Sequence, residues 1–292
     1  MAQECRLCPR ECGVDRSIRR GYCKSPEELI VARVGLHKWE EPCISHKNGS
    51  GTIFFGGCNM GCVFCQNHEI SSGVKGKNIS VDTLCDEMLK LQDVGADNIN
   101  LVTPTHYADK ILIALEKVKH RLCIPIVYNT SGYEKTDTLK KLRGYIDIYL
   151  PDIKYYSSEL SGKFSNCKDY FSVALNAVGE MISQTGKAKF DDNGKMIGGT
   201  VLRHLVLPGC YKDSIKIFDE LEKSIETEKA VVSIMCQYFP TYKANEFKAL
   251  SRKTTTLEYM KVVERVRKIG FAQGFIQDKA SATEEYVPVF DY

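Results

Sequence analysis

Short apolar runs alternate with longer amphipathic stretches along the chain from about residue 51 onward. The apolar runs are rich in β-branched and aromatic residues and end in glycine or polar clusters, which is typical of buried strands. Six strands are therefore predicted, in the segments "GTIFFGG", "NINLVTPT", "IPIVYNTSGY", "IDIYLPDIKYY", "TVLRHLVLPG" and "AVVSIMCQYF".

The amphipathic stretches between these runs predict helices. In "SVDTLCDEMLKLQDVG", Leu84, Met88 and Leu91 share one helical face. Ser80 precedes the first turn as a suitable N-cap, and Gly95 follows the last turn. The same period recurs in "HYADKILIALEKVKH", "DYFSVALNAVGEMISQTG", "DSIKIFDELEKSIE" and "TTLEYMKVVERVRKIG".

The alternation of strands and helices predicts a parallel sheet covered by helices, because parallel neighbours need long crossover connections. The predicted fold class is α/β, with a partial (β/α)6 TIM-like barrel at residues 51–240. A Cys-rich N-terminal extension is expected at residues 1–50 and a C-terminal helical extension at residues 241–292. A doubly wound flavodoxin-like sheet is the rival, but no glycine-rich phosphate turn follows the first strand.

The length and the net charge of the chain exclude some classes of protein. The chain has 292 residues, 43% of them hydrophobic, and a net charge of +3, which suits one barrel-sized domain with extensions. Arg16, Arg19 and Arg20 are expected to form a solvated face, and no nucleic-acid partner is predicted. No membrane span is expected, since no apolar run reaches about 18 residues. The first residues lack the apolar core of a signal peptide, so a cytoplasmic location is expected.

Cysteine is abundant, with 13 residues, and metal binding explains an odd count better than a disulfide framework. Cys58, Cys62 and Cys65 form a C-x3-C-x2-C loop directly after the first predicted strand. Three thiolates hold three irons of a [4Fe–4S] cluster and leave the fourth iron open to a small molecule. The alternative is a zinc site completed by Cys43 or His68.

An open iron has a chemical use. A chelating amino acid, such as the methionine moiety of S-adenosylmethionine, would bind it through its amine and carboxylate. An electron passed into the neighbouring sulfonium would then break a carbon–sulfur bond and give a 5′-deoxyadenosyl radical. The loop is thus expected to be catalytic.

The segment "CNMGCVFCQN" resembles the cluster motif of radical S-adenosylmethionine enzymes, and within them the pyruvate formate-lyase activating enzyme-like group. The resemblance covers most of the chain, including "NTSGY", "YLPDIKYY", "LRHLVLPG" and "MCQYFP". It implies oxidoreductase chemistry with a [4Fe–4S] cluster and S-adenosylmethionine. The cofactor contacts that it implies are Phe64, Asn129, Ser131, Asp152, Lys154, Arg203 and, in place of a family histidine, Gln237 or Tyr238.

The second predicted strand departs from that group. Many members end this strand in Gly-Gly-Glu, which contacts the methionine amine, whereas this chain has "VTPTHY". Thr103, Thr105 or backbone carbonyls would have to accept the same hydrogen bond. Thr105 is also a suitable N-cap for the helix that follows.

The N-terminus carries a second group of thiols, Cys5, Cys8, Cys12 and Cys23. Four thiols at this density predict a structural metal site that orders a polar segment. Zinc, an auxiliary iron–sulfur cluster and no metal at all are the alternatives.

Three functions follow as hypotheses. The first is an activase that takes a hydrogen atom from a glycine of a partner glycyl radical enzyme, with a reduced flavodoxin- or ferredoxin-type electron donor. The second is a radical enzyme that acts directly on a small molecule or peptide. The third is a non-catalytic iron–sulfur or zinc protein of electron transfer.

Overall fold

A computed structural model describes residues 4–71, 73, 75–277, 288 and 290. Its strands are β1 (Leu29–His37), β2 (Ser50–Phe55), β3 (Lys77–Ile79), β4 (Ile99–Val102), β5 (Ile126–Thr130), β6 (Ile148–Pro151), β7 (Lys189–Phe190), β8 (Met196–Leu205), β9 (Val231–Met235) and β10 (Gln273–Ile276). Its α-helices are α1 (His68–Ser71), α2 (Val81–Asp93), α3 (Ala108–Val118), α4 (Thr136–Lys141), α5 (Ser158–Ser165), α6 (Tyr170–Thr185), α7 (Tyr211–Ser224) and α8 (Thr256–Val266).

The strands form one mostly parallel sheet in the order β10-β9-β8-β6-β5-β4-β2-β1-β3, with β7 paired to β8. The predicted α/β class is therefore confirmed, and all six predicted strands are present as β2, β4, β5, β6, β8 and β9. The count of six parallel strands is wrong, because β10 adds to β9 in parallel register. This strand is short and mostly exposed, so its sequence carries no buried-strand pattern.

Both ends of the chain contribute to this sheet. The N-terminal strand β1 pairs with β2 and β3 in antiparallel register. The segment expected to be a helical extension contains helix α8 and also adds strand β10 to the sheet. Residues 278–287, 289, 291 and 292 of this segment lie outside the described residues. The division into three segments at residues 50 and 240 stays a prediction.

The helices pack against the sheet through the predicted apolar faces. In α2, Leu84, Met88 and Leu91 are buried, and the Ser80 hydroxyl accepts a hydrogen bond from the Thr83 N–H at 3.0 Å. Each such buried side chain contributes about 1.5–3 kcal/mol to stability. These contacts hold the helices outside the sheet and leave its strand ends for the site.

Arg16 does not belong to a solvated face. Its side chain is 9% exposed, its Nε donates to the Pro26 carbonyl at 3.0 Å, and its guanidinium lies 5.0 Å from the centre of the Tyr107 ring. Arg19 and Arg20 are exposed, as expected. Arg16 therefore anchors the N-terminal segment to the turn after β4, because a buried guanidinium needs carbonyl partners.

Among the helices of the described residues, none combines the length and the apolar composition that crossing a membrane requires.

A buried carboxyl, Glu134, lies between the ends of β4 and β5. It is 1% exposed, and the hydroxyls of Thr105 and Thr130 donate to its Oε1. Burial raises the pKa of Glu134 from 4.5 to about 7, although these hydroxyls lower it in part. The folded chain thus holds this proton after the unfolded chain has lost it, so stability falls as pH rises from 4.5 to about 7.

We expect Glu134→Gln to remove this pH dependence. At pH 5 the variant should match the wild type, and at pH 8 its free energy of unfolding should be higher by about 2–3 kcal/mol. Urea unfolding at the two pH values measures the difference, with the exposed Glu116→Gln as the matched control. A difference that does not change with pH would contradict the assignment.

Candidate active site

A cavity of about 670 Å³ lies where the carboxyl ends of the parallel strands meet. The predicted site residues that line it follow β2, β4, β5, β6, β8 and β9 or lie in their last residues. They are Cys58, Cys62, Phe64, Cys65, Thr103, Asn129, Ser131, Asp152, Lys154, Arg203 and Gln237. The volume is within the usual range for a small-molecule site.

The cysteine loop reaches the cavity by a tight turn after β2. Gly57 has a φ of +90°, and a Cβ there would lie 2.8 Å from the Cys23 carbonyl oxygen, so only glycine fits. The Asn59 side-chain amide donates to the Tyr133 carbonyl at 2.7 Å. The loop is therefore held from both the N-terminal segment and the β5 side.

The three loop cysteines are half-buried at the cavity. Burial raises the pKa of Cys58 far above its ordinary value and that of Cys65 to about 11, with the neighbouring thiol of Cys62 adding to both. Lys154 is the cation that lowers the pKa of both thiols. Cys58 and Cys65 therefore keep their protons until a metal displaces them.

The residues fit a cluster better than a single ion. No three His, Cys, Asp or Glu side chains among the described residues gather closely enough to hold one metal ion. The zinc alternative finds no support in this geometry: Cys43 is buried in a separate apolar cluster, and His68 stacks on Tyr242 at 4.9 Å. A [4Fe–4S] cluster spreads its thiolates over different irons, so three thiols facing one cavity suit it.

An aromatic wall borders the thiols. Phe64 lies against Tyr155 and Tyr238, with ring centres 6.5 and 6.0 Å away. Tyr238 itself is 1% exposed and donates to the Leu250 carbonyl at 2.6 Å, so it supports Phe64 and does not line the cavity. Of the two residues expected in place of the family histidine, only Gln237 lines it.

A row of charged side chains crosses the cavity floor. The Lys154 Nζ lies 2.6 Å from the Asp152 Oδ2, and the Arg203 Nε lies 2.9 Å from the Asp152 Oδ1. Arg203 also donates to the Asn129 Oδ1 at 2.7 Å. Burial alone would raise the pKa of Asp152, but Arg203 and Lys154 hold it below its ordinary value. The carboxylate is thus ionised and fixes both cations.

Two carboxyl groups of this row have no counterpart in the sequence prediction. Glu40 and Glu41, between β1 and β2, line the cavity, and the Glu40 Oε2 lies 3.6 Å from the Arg203 Nη1. Adjacent glutamates in a loop normally indicate a solvated segment, so the sequence carries no signal for their burial. Only the pairing of β1 with β2 brings them to the strand ends.

The two threonines of "VTPT" have different positions. Thr103 lines the cavity with a left-handed φ of +59°, and its N–H donates to the Asn129 carbonyl at 2.9 Å. Thr105 does not line the cavity, because its hydroxyl donates to Glu134. Its predicted N-cap role is also wrong, since Thr105 begins a 3-10 turn and Pro104 precedes it without a side-chain cap.

Ser131 presents a hydroxyl to the cavity. Among the described residues its Oγ is buried without a hydrogen-bond partner, while its carbonyl accepts from the Tyr170 hydroxyl at 2.7 Å. An unpaired buried hydroxyl is costly, which favours a ligand partner here.

The N-terminal thiols lie away from the cavity lining. Cys8 and Cys23 are buried, and burial raises the pKa of Cys8 to about 12. The Cys12 Sγ accepts the Tyr22 N–H at 3.3 Å. Among the described residues no three of these thiols gather about one ion, so the structure does not show the expected zinc site at Cys5, Cys8, Cys12 and Cys23, which stays a prediction. An auxiliary iron–sulfur cluster there stays a prediction.

Comparisons with known proteins agree with this geometry. Residues 52–187 match the radical SAM superfamily. An uncharacterized protein of Methanocaldococcus jannaschii, MJ0674, is 32% identical over 277 residues, a match that covers 91% of this chain and 75% of that protein.

Solved structures show the same fold at low identity. SuiB of Streptococcus suis, solved with the precursor peptide SuiA, has a TM-score of 0.50 at 15% identity, over 76% of this chain and 46% of SuiB. This chain thus spans about half the length of SuiB. Methylornithine synthase (PylB) has a TM-score of 0.50 at 14% identity, over 74% of this chain and 60% of PylB.

None of these matches supports the pyruvate formate-lyase activating group in particular. The matched region begins in β2 and includes the cysteine loop and the strand ends as far as Lys154. The chain belongs to the radical SAM superfamily, whose members cleave S-adenosylmethionine at an iron–sulfur cluster.

Proposed function

We propose that this protein is a radical S-adenosylmethionine enzyme that acts directly on a small molecule or a peptide group held in the cavity. The observation that carries the proposal is that one cavity joins the three thiols to a row of buried charged side chains. Cys58, Cys62 and Cys65 would hold the [4Fe–4S] cluster. With S-adenosylmethionine bound, the cluster supplies one-electron reductive cleavage of the carbon–sulfur bond.

The charged row gives each end of the cofactor a partner of suitable chemistry. Arg203 and Lys154 offer donors to a carboxylate, and Asp152 holds both in place. Asn129 and Ser131 offer polar groups to hydroxyls or ring nitrogens. Thr103 follows β4, at the end of the strand where the related group carries its glutamate in sequence, and it lines the cavity, so we assign its backbone carbonyl to the methionine amine.

The aromatic wall excludes water from the reacting atoms. Phe64 covers the thiols from one side and is itself fixed by Tyr155 and Tyr238. Radical chemistry requires such shielding, since reactive intermediates otherwise meet solvent.

The activase hypothesis is the alternative, and the motifs "NTSGY" and "YLPDIKYY" support it. It requires a partner protein to place a glycine in the cavity, and none of the matches reported above supports that subtype. In either case a reduced flavodoxin- or ferredoxin-type protein would supply the electron. Reconstitution with and without glycyl radical enzymes separates the two hypotheses.

The thiol assignment has a direct test. We expect Cys58→Ala, Cys62→Ala and Cys65→Ala each to abolish 5′-deoxyadenosine formation and to lower iron content, because the cluster loses one of three ligands. Anaerobic reconstitution, iron analysis and chromatography of the products measure both effects. The exposed Cys123→Ala is the matched control. Wild-type activity in any of the three loop variants would overturn the assignment.

Arg203 should act on cofactor affinity. We expect Arg203→Ala to weaken S-adenosylmethionine binding about 10- to 100-fold, since a hydrogen bond from a charged group contributes ~1.5–3 kcal/mol. Calorimetry on the reconstituted protein measures the affinity, and iron content should stay at the wild-type level. Arg265→Ala, which breaks a peripheral pair with Asp219, is the control. Loss of iron would instead make Arg203 a structural residue.

Ser165 should tune the cluster. Its buried hydroxyl donates to the Cys62 Sγ at 3.0 Å, and a donor of this kind stabilises the more negative, reduced state. We expect Ser165→Ala to lower the midpoint potential by tens of millivolts, since ~1 kcal/mol is roughly 40 mV for one electron. Redox titration followed by electron paramagnetic resonance measures it. Ser161→Ala, in the same helix, is the control, and equal potentials in the two variants would contradict the role.

A further inference from the structure

Two consecutive carboxyl groups, Glu40 and Glu41, enter the cavity from the segment between β1 and β2. The Glu40 side chain is 10% exposed, and Glu41 is 5% exposed. Carboxylates are seldom buried to this degree unless a cation or several donors pair with them. Each therefore needs a partner.

The described residues of the row supply fewer cations than carboxyl groups. The buried row holds three carboxyl groups, Asp152, Glu40 and Glu41, against two cations, Lys154 and Arg203. Lys154 pairs with Asp152, and Arg203 is shared between Asp152 and Glu40. Lys38 lines the cavity too, but it is exposed and solvent screens its charge.

Burial raises the pKa of both Glu40 and Glu41, and Arg203 lowers each only in part. The Asn129 amide also donates to the Glu40 Oε1 at 3.4 Å, but it is neutral, so the negative charge of the ionised pair is only partly compensated by the described side chains. A cationic ligand would restore the balance, because it supplies the positive charge that this end of the row lacks.

Other hydrogen-bond acceptors lie around Glu40 and Glu41. Ser233 is fully buried, and its Oγ has no hydrogen-bond partner among the described residues, although it lies close enough to Glu41 to lower its pKa. The Gln277 Oε1 is also buried and unpartnered within the described residues, while its amide nitrogen donates to Gln237. Both residues line the cavity. Two carboxylates, a hydroxyl and an amide oxygen together match a group with several N–H donors.

This end of the cavity lies away from the thiols. Lys154 lowers the pKa of Cys58 and Cys65, so it marks the end of the row that faces the thiols. The order along the row is Lys154, Asp152, Arg203 and Glu40. A methionine amine that chelates the cluster must lie at the thiol end, so the acidic pair is left for the second reactant.

We propose that Glu40 and Glu41 bind a primary ammonium or guanidinium group of the substrate. The inference rests on the proposed function, because it assigns the thiol end of the same cavity to the cluster and S-adenosylmethionine. The substrate is then a small amine or a lysine or arginine side chain of a peptide. The surplus carboxylate supplies the charge, and Ser233 and Gln277 accept the remaining N–H groups.

Isothermal titration calorimetry of the reconstituted enzyme with S-adenosylmethionine tests the proposal. The probes are 1,5-diaminopentane, the neutral 1,5-pentanediol, the anion glutarate and the peptide acetyl-Gly-Lys-Gly-amide. We expect saturable binding of an amine probe only, weakened about tenfold or more by Glu41→Gln. The diamine and the peptide distinguish a free amine from a lysine side chain. The control is Glu226→Gln, whose side chain is 60% exposed.

The outcomes separate this proposal from the proposed function. If S-adenosylmethionine binds and is cleaved but no amine probe binds, or if glutarate binds equally well, the acidic site is wrong and the enzyme function stands. If Glu41→Gln weakens S-adenosylmethionine as much as it weakens the amine, the pair serves the cofactor and the proposal fails. Amine binding without any S-adenosylmethionine cleavage would support the site and overturn the enzyme function.

Discussion

The Asp152 carboxylate lies between Lys154 and Arg203 and pairs with both. This arrangement fixes the charged side chains of the site relative to the strands of the sheet. Asp152 and Arg203 also form a backbone bridge, and the Ile153 N–H donates to the Arg203 carbonyl at 2.8 Å. Side chains and backbones of neighbouring strands are thus paired at the same point. The charged row depends on it, because Arg203 would otherwise have no fixed place between Asn129 and Glu40.

Burying such a row is costly unless each charge has partners, and breaking one pair leaves the rest uncompensated. Buried charged groups of this kind are typical of binding sites, because a binding site needs charges in fixed positions. Around the thiols the opposite environment prevails, since Met60, Phe64, Tyr155 and Tyr238 form an apolar cluster there. One cavity therefore combines an apolar end near the thiols with a charged end near Arg203 and Glu40.

The N-terminal segment takes part in this architecture through direct contacts with the cysteine loop. The Arg10 Nε donates to the Asn59 carbonyl inside the cysteine loop at 2.9 Å, and its guanidinium lies 3.9 Å from the centre of the Tyr22 ring. A Cβ at Gly61 would lie 2.7 Å from the Tyr22 hydroxyl. The N-terminal segment therefore packs closely against the cysteine loop and helps to fix its position.

The sequence by itself determined the α/β class, the six main strands, the α2 face and the cysteine loop, because these depend on local period and spacing. The strand-end residues from Asn129 to Gln237 followed from family resemblance and from the rule that parallel strands end at one edge.

Long-range pairing decided the rest. Strand β10 is too short and too exposed to show a period. Glu40 reached the cavity only because β1 adds to β2, and Arg16 was buried only because the Pro26 carbonyl and, in the turn after β4, the His106 carbonyl accept its hydrogen bonds. A loop sequence does not encode such contacts, since its environment comes from residues far away in the chain.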